Sequence, residues 1–280
     1  MQILNSIKEM RFIREDLSGK IGFVPTMGAL HEGHLSLIRA AKKVCDTVIV
    51  SIFVNPTQFG PNEDFDKYPR KEKEDALLCE QAGADFVFLP SKNEVYPENP
   101  FVSLSVNKYT DILCGAKRPG HFNGVVQIVG ILFNIVAPHK AFFGQKDFQQ
   151  LFILKKYSEV YHYPVEIAAC PTVRESDGLA MSSRNAYLSI EERINALVIT
   201  KTFNKIIEIV KDKKAQNRTD FLESLAIKTI TEELPEIKVD YLEIRNQKTL
   251  EKDEFINQES RIFAAIFMGK TRLIDNMEIW

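Results

Sequence analysis

The sequence predicts an α/β protein, with a Rossmann-like, doubly wound parallel sheet followed by a smaller α+β domain at the C-terminal end. Short runs rich in β-branched residues alternate with helical patterns as far as Val173. Such alternation is typical of a parallel sheet that is covered by helices on both faces. The run TVIVSIFV is apolar almost throughout, as expected for a strand buried on both faces. Because the pattern changes after Val173, we predict domains of residues 1–174 and 175–280.

The first domain is predicted to contain a series of strands joined by helices. The strands are IGFVPT, TVIVSIFV, ADFVFLP, KAFFG and VEIAACPTV. The helices are residues 33–44, the segment KEKEDALLCEQAG ending at Gly83, the buried stretch 124–137, and DFQQLFILKKYSEV. In the first of these helices, Leu35, Ile38 and Val44 are expected to form the apolar face.

The second domain is predicted to begin with a polar, turn-rich connection, RESDGLAMSSRNAYLS. Helical stretches at about residues 190–211 and 219–233 follow, and then the strand-like regions KVDYLEIRN and SRIFAAIFMGKTRLIDN. The tetrad MGKT resembles the end of a phosphate-binding loop, but Ala264 stands where that motif requires its first glycine. We therefore predict that MGKT is the end of a strand.

The composition is that of an ordinary globular protein and gives no sign of a nucleic-acid or membrane partner. The formal net charge is −2, so no overall charge attracts the chain to an anionic polymer or an anionic surface. The longest apolar stretch, residues 124–137, contains Gln127 and Asn134 and is too short to span a bilayer. The cysteines are scattered without a CxxC pair, which predicts reduced thiols in a cytoplasmic protein.

The segment PTMGALHEGH places two histidines at the junction between a strand and a helix. Ligands of doubly wound sheets bind at such junctions, and a helix N-terminus favours phosphate. Gly28 and Gly33 allow the backbone to approach a ligand closely, while His31 and His34 share one helix face and could both donate to phosphate oxygens. A metal site and simple helix capping remain alternatives, although HEGH lacks the HExxH spacing.

Other polar segments follow the later strands. Asn55 and Gln58 are amides suited to hydroxyl and carboxylate groups, and a plain Asn-Pro turn is the alternative. In GAKRPGHFNG the basic residues indicate an anion-binding loop or else solvated surface charge; they are Lys117, Arg118 and His121.

In FFGQKDFQQL, Gly144, Lys146 and Asp147 lie at another strand-to-helix junction, and Gln150 follows one turn later. Lysine suits phosphates, aspartate suits ribose hydroxyls, and glycine lets a nucleotide come close. The segment MSSRN offers hydroxyls and a guanidinium for a phosphate clamp. Together these segments predict a site for ATP and a small polar partner at the edge of a parallel sheet.

Five segments resemble those of the pantoate–β-alanine ligase family, also called pantothenate synthetases, in the same order. They are PTMGALHEGHLSLI, SIFVNPTQF, RPGHFNGV, FFGQKDFQQL and PTVRESDGLAMSSRN, between about residues 20 and 190. More distantly, HEGH and MSSRN resemble the HIGH and KMSKS elements of class I aminoacyl-tRNA synthetases and related cytidylyltransferase-like enzymes. Here Glu32 replaces an apolar residue and the second motif lacks lysines, so Arg184 and Lys146 are expected to supply the charge.

The resemblance implies that ATP, bound with Mg²⁺, drives the condensation of (R)-pantoate with β-alanine through pantoyl adenylate, with release of AMP and pyrophosphate. It also implies a homodimer. No metal ligand of the protein itself is expected. Two alternatives remain at this point, namely an adenylyltransferase of the same fold and an ATP-binding sensor without catalysis.

The resemblance further implies roles for individual residues. His31, His34, Lys146 and Arg184 are expected to be catalytic, with His34 as the proton donor. Gln58 and Gln150 are expected to bind pantoate, and Gln58 also β-alanine. ATP is expected to contact Met27, Gly28, Ala29, Leu30, His31, Glu32, Gly33, His34, Gly144, Gln145, Lys146, Asp147, Val173, Met181, Ser182, Ser183 and Arg184.

Overall fold

The computed structural model describes residues 1–61, 63–98, 102–211 and 217–280. The chain divides into two compact units, Met1–Val173 and Arg174–Trp280. The boundary predicted from the sequence lies one residue further along the chain. In the described part of the chain, no helix is both long enough and apolar enough to cross a membrane.

The first unit is built on a parallel sheet. Its strands are β1 (Gln2–Leu4), β2 (Ile21–Thr26), β3 (Thr47–Ile52), β4 (Phe86–Phe88), β5 (Lys140–Gly144) and β6 (Glu166–Cys170). They are hydrogen-bonded in the order β1-β4-β3-β2-β5-β6. The predicted Rossmann-like fold is confirmed. The sequence did not reveal β1, since a strand of 3 residues is too short to show a period.

Helices cover both faces of this sheet. They are α1 (Ile7–Asp16), α2 (Glu32–Lys42), α3 (Glu72–Ala82), α4 (Lys92–Val95), α5 (Leu113–Lys117), α6 (His121–Val136) and α7 (Phe148–Val160). Helix α2 packs against α3 and the central strands, whereas α6 packs against α1, α7 and β2. The predicted buried helix is thus α6, which begins at His121 instead of Gly124.

The apolar face of α2 differs from the prediction in one position. Ile38 is buried as predicted and Leu35 is partly buried, but Val44 is 50% exposed. The helix ends at Lys42, so the helical period no longer directs Val44 toward the sheet. Leu37 and Ala41 complete the buried face instead.

Four strands of the sheet end at one level. Thr26 pairs with Ile52 at the end of β2 and β3, and Gly144 pairs with Cys170 at the end of β5 and β6. Gly22 pairs with Lys140, and β2 and β5 continue for the same number of residues beyond this pair, to Thr26 and Gly144. These two strands therefore also end at the same level. The strand order reverses between β2 and β5. Ligands of doubly wound sheets bind at this kind of switch point.

The second unit is a three-stranded antiparallel sheet with helices. Its elements are α8 (Ile190–Asn195), α9 (Val198–Lys211), α10 (Thr219–Glu233), β7 (Lys238–Asn246), β8 (Ser260–Met268) and β9 (Thr271–Glu278). The predicted helix at residues 190–211 is divided into α8 and α9. The tetrad MGKT lies where β8 ends and turns into β9 at Gly269, which has a φ of +55°. The prediction that MGKT is a strand end is confirmed.

The segment predicted as an inter-domain connection is a folded part of the second unit. Arg174 forms a β-bridge with Ala180, and its guanidinium donates to both carboxylate oxygens of Asp275 at 2.7 and 3.0 Å. The turn-rich composition therefore reflects a tight turn held by an ion pair and not a free linker.

Candidate functional site

The predicted site segments of the first unit all follow strand ends at the same edge of the sheet. Residues 27–34 follow β2, Asn55 and Gln58 follow β3, residues 145–150 follow β5, and Val173 lies shortly after β6. Because the strands end at one level, these segments are brought to one edge on either side of the switch point.

A buried carboxylate from α3 holds the turn after β2. Asp75 is 1% exposed and accepts hydrogen bonds from the backbone N–H groups of Ala29 at 2.9 Å and Leu30 at 2.8 Å. Burial raises the pKa of Asp75, while these two hydrogen bonds act in the opposite direction. Gly28 has a φ of +82°, and a Cβ there would lie 2.9 Å from Asp75 Oδ2. The turn therefore requires glycine at this position.

The two histidines cap the helix that follows. His31 is the N-cap of α2, and its Nδ1 accepts from the N–H of Gly33 at 3.2 Å. The Nδ1 of His34 accepts in return from the N–H of His31 at 3.3 Å. The capping alternative raised by the sequence is therefore observed.

Capping also determines the tautomer of each ring. A neutral imidazole that accepts through Nδ1 carries its proton on Nε2. Both rings therefore present an Nε2–H donor, and their centroids lie only 4.1 Å apart. Since capping uses Nδ1 and phosphate binding requires a donor, the two interpretations of this motif are compatible.

The charge of His34 limits what this ring can offer to a phosphate. Burial and the neighbouring His31 lower the pKa of His34 to about 3, with Lys146 acting in the same direction and Asp147 against it. The imidazole is therefore neutral at pH 7 in this structure. It offers a hydrogen bond, not a formal charge or a readily transferred proton.

Most of the backbone N–H groups in this turn already have partners within the protein. The N–H groups of Ala29 and Leu30 are bound to Asp75, that of Gly28 donates to Thr26 Oγ1 at 3.2 Å, and those of His31 and Gly33 cap α2. Glu32 is exposed and paired with Arg39. The amides of Gly28, Ala29, Leu30, His31 and Gly33 are therefore already paired, so an anion that binds at these positions requires side-chain donors.

The loop after β5 lies within electrostatic range of the histidines. Lys146 and Asp147 both influence the pKa of His34, although they lie on the other side of the switch point. Together with Gln145 they form a 3₁₀ turn after Gly144. A Cβ on Gly144 would meet no atom within 4 Å, so this glycine borders open space. Gln150 lies in the first turn of α7 and is partly exposed.

The loop after β3 is organised by Asn55. Its side chain is 1% exposed, donates to Gln58 Oε1 and to the carbonyl of Gly124, each at 3.1 Å, and accepts from Tyr96 at 2.9 Å. Asn55 therefore positions the loop. The Nε2 of Gln58 donates to Met27 Sδ at 2.9 Å, which joins this loop to the turn after β2.

Arg118 and His121 brace the same loop from α6 and the segment before it. The guanidinium of Arg118 pairs with both oxygens of Glu63 at 2.7 and 2.6 Å, and His121 Nδ1 donates to the carbonyl of Gln58 at 2.8 Å. Burial and Arg118 lower the pKa of His121 to about 4. The charge of Arg118 is therefore paired with a carboxylate of the protein itself. Lys117 is exposed.

The segment MSSRN belongs to the second unit. Ser182 caps a 3₁₀ helix, Ser183–Tyr187, by accepting from the N–H of Arg184 at 3.3 Å. Asn185 donates to Glu175 Oε1 at 3.0 Å, and Glu175 pairs with Arg193 at 2.6 Å. The segment with Met181, Ser182, Ser183 and Arg184 is thus held within a hydrogen-bonded network of its own unit.

Sequence reasoning missed Asp75, Glu63 and Tyr96. A signal for Asp75 exists, since the buried face of α3 comprises Asp75, Ala76, Cys79 and Ala82, and an acid on an apolar face requires a partner. Asp75 was missed because it ends the charged run KEKED, in which the other residues are exposed. Among the described residues, no group of three or more His, Cys, Asp or Glu side chains is placed to hold a metal ion.

The fold is that of a Rossmann-like α/β enzyme, and the candidate site residues of the first unit lie at the edge of the sheet where such enzymes bind ligands. The chain belongs to the pantoate–β-alanine ligase family, whose model matches residues 2–278. It is therefore a ligase, and the adenylyltransferase and sensor alternatives are set aside.

Several relatives support this assignment over the full chain. The pantothenate synthetase of Caldicellulosiruptor bescii is 48% identical over 100% of this chain and 99% of its own. That of Thermoanaerobacter pseudethanolicus is 50% identical over 99% of this chain and 95% of its own. The crystal structure of pantothenate synthetase from Thermus thermophilus matches with a TM-score of 0.94 at 38% identity, covering 100% of both chains.

A further solved relative was crystallised with ligands. The pantoate–β-alanine ligase from Francisella tularensis, complexed with β-γ ATP and β-alanine, matches with a TM-score of 0.78 at 37% identity. The match covers 100% of this chain and 98% of that one.

Proposed function

We propose that the chain condenses (R)-pantoate with β-alanine in two steps at the switch point between β2 and β5. A carboxylate oxygen of pantoate attacks the α-phosphorus of ATP, and pyrophosphate leaves. The amine of β-alanine then attacks the acyl carbon of pantoyl adenylate, AMP leaves with the carboxylate oxygen, and the new amide nitrogen loses a proton. The family and the ligand-bound relative from Francisella tularensis support this chemistry.

The observation that carries the proposal is the register of the sheet, in which β2 and β5 end at one level, so that residues 27–34 and 145–147 follow neighbouring strand ends at the switch point. Lys146 and Asp147 also influence the pKa of His34 across this point. In the first step the α-phosphate gains negative charge as the oxygen attacks. Preorganised donors that face this charge lower the barrier without reorganisation. We assign that task to the Nε2–H groups of His31 and His34 and to the ammonium of Lys146.

The remaining ligand contacts follow from the positions of the other segments. Asp147 is proposed to bind ribose and Val173 to contact adenine through its backbone. Gln58 and Gln150 hold pantoate through its hydroxyl and carboxylate groups, and Gln58 also meets β-alanine. Met181, Ser182, Ser183 and Arg184 are proposed to contact ATP, with Arg184 adding positive charge.

We also propose that Mg²⁺ enters with ATP as the counterion of the triphosphate, that the protein is a homodimer, and that it acts in the cytoplasm. All four cysteines are buried thiols, which supports a reducing compartment. Sedimentation analysis of the purified protein tests the dimer, and titration of ATP against excess chelator tests the Mg²⁺ requirement.

Exchange of labelled pyrophosphate into ATP tests the reaction. With pantoate present and β-alanine omitted, label is expected to appear in ATP, because the adenylate forms reversibly. Omission of pantoate is the control and is expected to abolish exchange. Exchange without pantoate, or exchange with acids other than pantoate at equal rates, contradicts the proposed first step. Formation of AMP without exchange points to a mechanism without a reversible adenylate.

A further inference from the structure

Asp75 determines the orientation of two peptide groups in the turn between β2 and α2. Its carboxylate receives the N–H of Ala29 on Oδ2 and the N–H of Leu30 on Oδ1. Thr26 and Gly28 are linked by a further hydrogen bond at the start of the same turn. Asp75 comes from α3, outside all of the segments that resemble the family's motifs.

The orientation of the two N–H groups also determines where the carbonyl oxygens of the same peptides point. In a trans peptide the C=O and the N–H point in opposite directions. The N–H of Ala29 belongs to the same peptide as the carbonyl of Gly28, and the N–H of Leu30 to that of Ala29. Since both N–H groups point toward Asp75, both carbonyl oxygens point away from it. The face of the turn opposite Asp75 therefore presents hydrogen-bond acceptors.

We propose that Asp75 is a positioning residue that makes this turn an acceptor surface for O–H or N–H groups of the substrates. This inference rests on the proposed function. The phosphates then contact the imidazoles and Lys146, whereas a hydroxyl or amino group of the nucleoside, or the ammonium group of β-alanine, contacts the carbonyls of Gly28 and Ala29. A turn with carbonyls directed at the ligand cannot itself bind phosphate through those peptides.

The carboxylate is required because the turn supplies two donors. Asp75 offers an acceptor oxygen to each N–H, while an asparagine offers one oxygen and one NH₂ group. In Asp75→Asn, the NH₂ group of the asparagine faces the N–H of one of the two peptides, so two donors meet. That peptide loses its partner or rotates, and its carbonyl no longer points to the opposite face.

Steady-state kinetics of Asp75→Asn test the proposal. The KM for ATP, measured in pyrophosphate exchange without β-alanine, is expected to rise about 10- to 100-fold if the nucleoside is the donor, because its buried donor is left without a partner. If β-alanine is the donor, its KM in the overall reaction rises by the same factor instead. The KM for pantoate is expected to stay within about twofold.

A matched control comes from the same helix turn. Glu72 is an exposed acid in the first turn of α3, and Glu72→Gln is expected to leave all three KM values and the melting temperature unchanged. Amide hydrogen exchange gives a readout that does not depend on activity. The N–H groups of Ala29 and Leu30 are expected to be protected in the unaltered protein and to exchange faster in Asp75→Asn.

Two results overturn the proposal. One is a folded Asp75→Asn protein with unchanged KM values for both ATP and β-alanine. The other is an equal rise in all three KM values, which indicates general damage to the fold. If Asp75→Asn does not fold, Asp75→Glu replaces it, because the longer side chain keeps both acceptor oxygens but displaces them from the N–H groups of Ala29 and Leu30. Absence of pyrophosphate exchange into ATP in the unaltered protein contradicts the proposed function. Amide hydrogen exchange of Ala29 and Leu30, compared between this protein and the Asp75 variant, still decides whether Asp75 holds the turn.

Discussion

Asn55 donates a hydrogen bond from Nδ2 to Oε1 of Gln58 over 3.1 Å, and this contact determines which end of the Gln58 amide is left for a ligand. The orientation of Asn55 is set by the backbone. Its Oδ1 accepts from the N–H of Thr57 at 3.4 Å, and its Nδ2 donates to the carbonyl of Gly124 at 3.1 Å. Gln58 therefore accepts through Oε1, and of the two hydrogens on Nε2 one donates to Met27 Sδ while the second is left as a donor for a ligand.

We predict that Gln58→Glu weakens pantoate binding strongly. The glutamate oxygen that replaces Oε1 still accepts from Asn55, but the other oxygen places negative charge where a donor is needed for the pantoate carboxylate. The KM for pantoate is expected to rise at least about tenfold, because a donor is lost and like charges meet. Tyr96→Phe is the control, since Thr57 still holds Asn55 Oδ1. Equal KM values in Gln58→Glu and the unaltered enzyme contradict this orientation.

The two roles of His34 can be separated by substitution. In His34→Asn the short side chain still accepts from the N–H of His31 but lacks the Nε2–H donor. We expect His34→Asn and His34→Ala both to lose about 2–4 kcal/mol of transition-state stabilisation in adenylation. The alanine variant alone should also lose about 1 kcal/mol of folding stability. Rapid-quench kinetics and urea unfolding provide the two measurements, and a near-normal adenylation rate in either variant refutes the role of His34.

Lys146→Ala is expected to damage one half-reaction selectively. Its ammonium is proposed to face the phosphates, where charge builds up only in adenylation. Adenylation should slow by about 10²- to 10³-fold, whereas attack of β-alanine on pantoyl adenylate supplied from outside should be much less affected. Single-turnover measurements of each half-reaction check this prediction. Equal loss in both steps contradicts the assignment.

Two glycines make a matched pair of stability predictions. A Cβ on Gly144 meets open space, and its φ of −76° suits alanine, so Gly144→Ala should fold normally. If a nucleotide approaches this backbone, the same change should raise the KM for ATP. In Gly124→Ala the Cβ would clash with the carbonyl group of Thr57, so we expect a loss of about 1–3 kcal/mol in stability. Thermal unfolding and ATP kinetics of both variants are the measurements.

Acid should destabilise the protein through its neutral histidines. The pKa of His34 is lowered to about 3 and that of His121 to about 4, from 6.5. Between about pH 6.5 and 4 the unfolded chain therefore binds more protons than the native state, and the free energy of unfolding falls as the pH falls. Each histidine contributes a slope of up to about 1.4 kcal/mol per pH unit. The raised pKa of Asp75 has the opposite effect on stability. Just above pH 3.8, its ordinary pKa, this group makes the free energy of unfolding rise as the pH falls.

Urea titrations at several pH values check the sign. His121→Gln should remove the slope that belongs to His121, so its stability curve should be flatter than that of the unaltered protein between pH 6.5 and 4. Parallel curves for the two proteins are inconsistent with a neutral, buried His121. The comparison cancels groups that titrate alike in both proteins.

The α/β fold and the general position of the site could be predicted from the sequence. TVIVSIFV and KAFFG show their strands by composition, and HEGH and QKD follow strand ends, where parallel sheets bind ligands. These signals are local, because period, strand ends and helix starts involve residues close together in the chain. The segment RESDGLAMSSRN shows the limit of local signals, since Arg174 meets a partner, Asp275, that lies 101 residues away.

The sequence by itself determined which polar segments follow strand ends, and therefore at which edge of the sheet the candidate site residues lie. The tertiary structure alone decided how they are presented. Asp75 reaches Ala29 from 46 residues away, and Asn55 meets Gly124 across 69 residues. These distant contacts determine which peptide groups of the turn are already paired and which end of the Gln58 amide donates. No local period encodes them, because they depend on packing α3 and α6 against loops elsewhere in the chain.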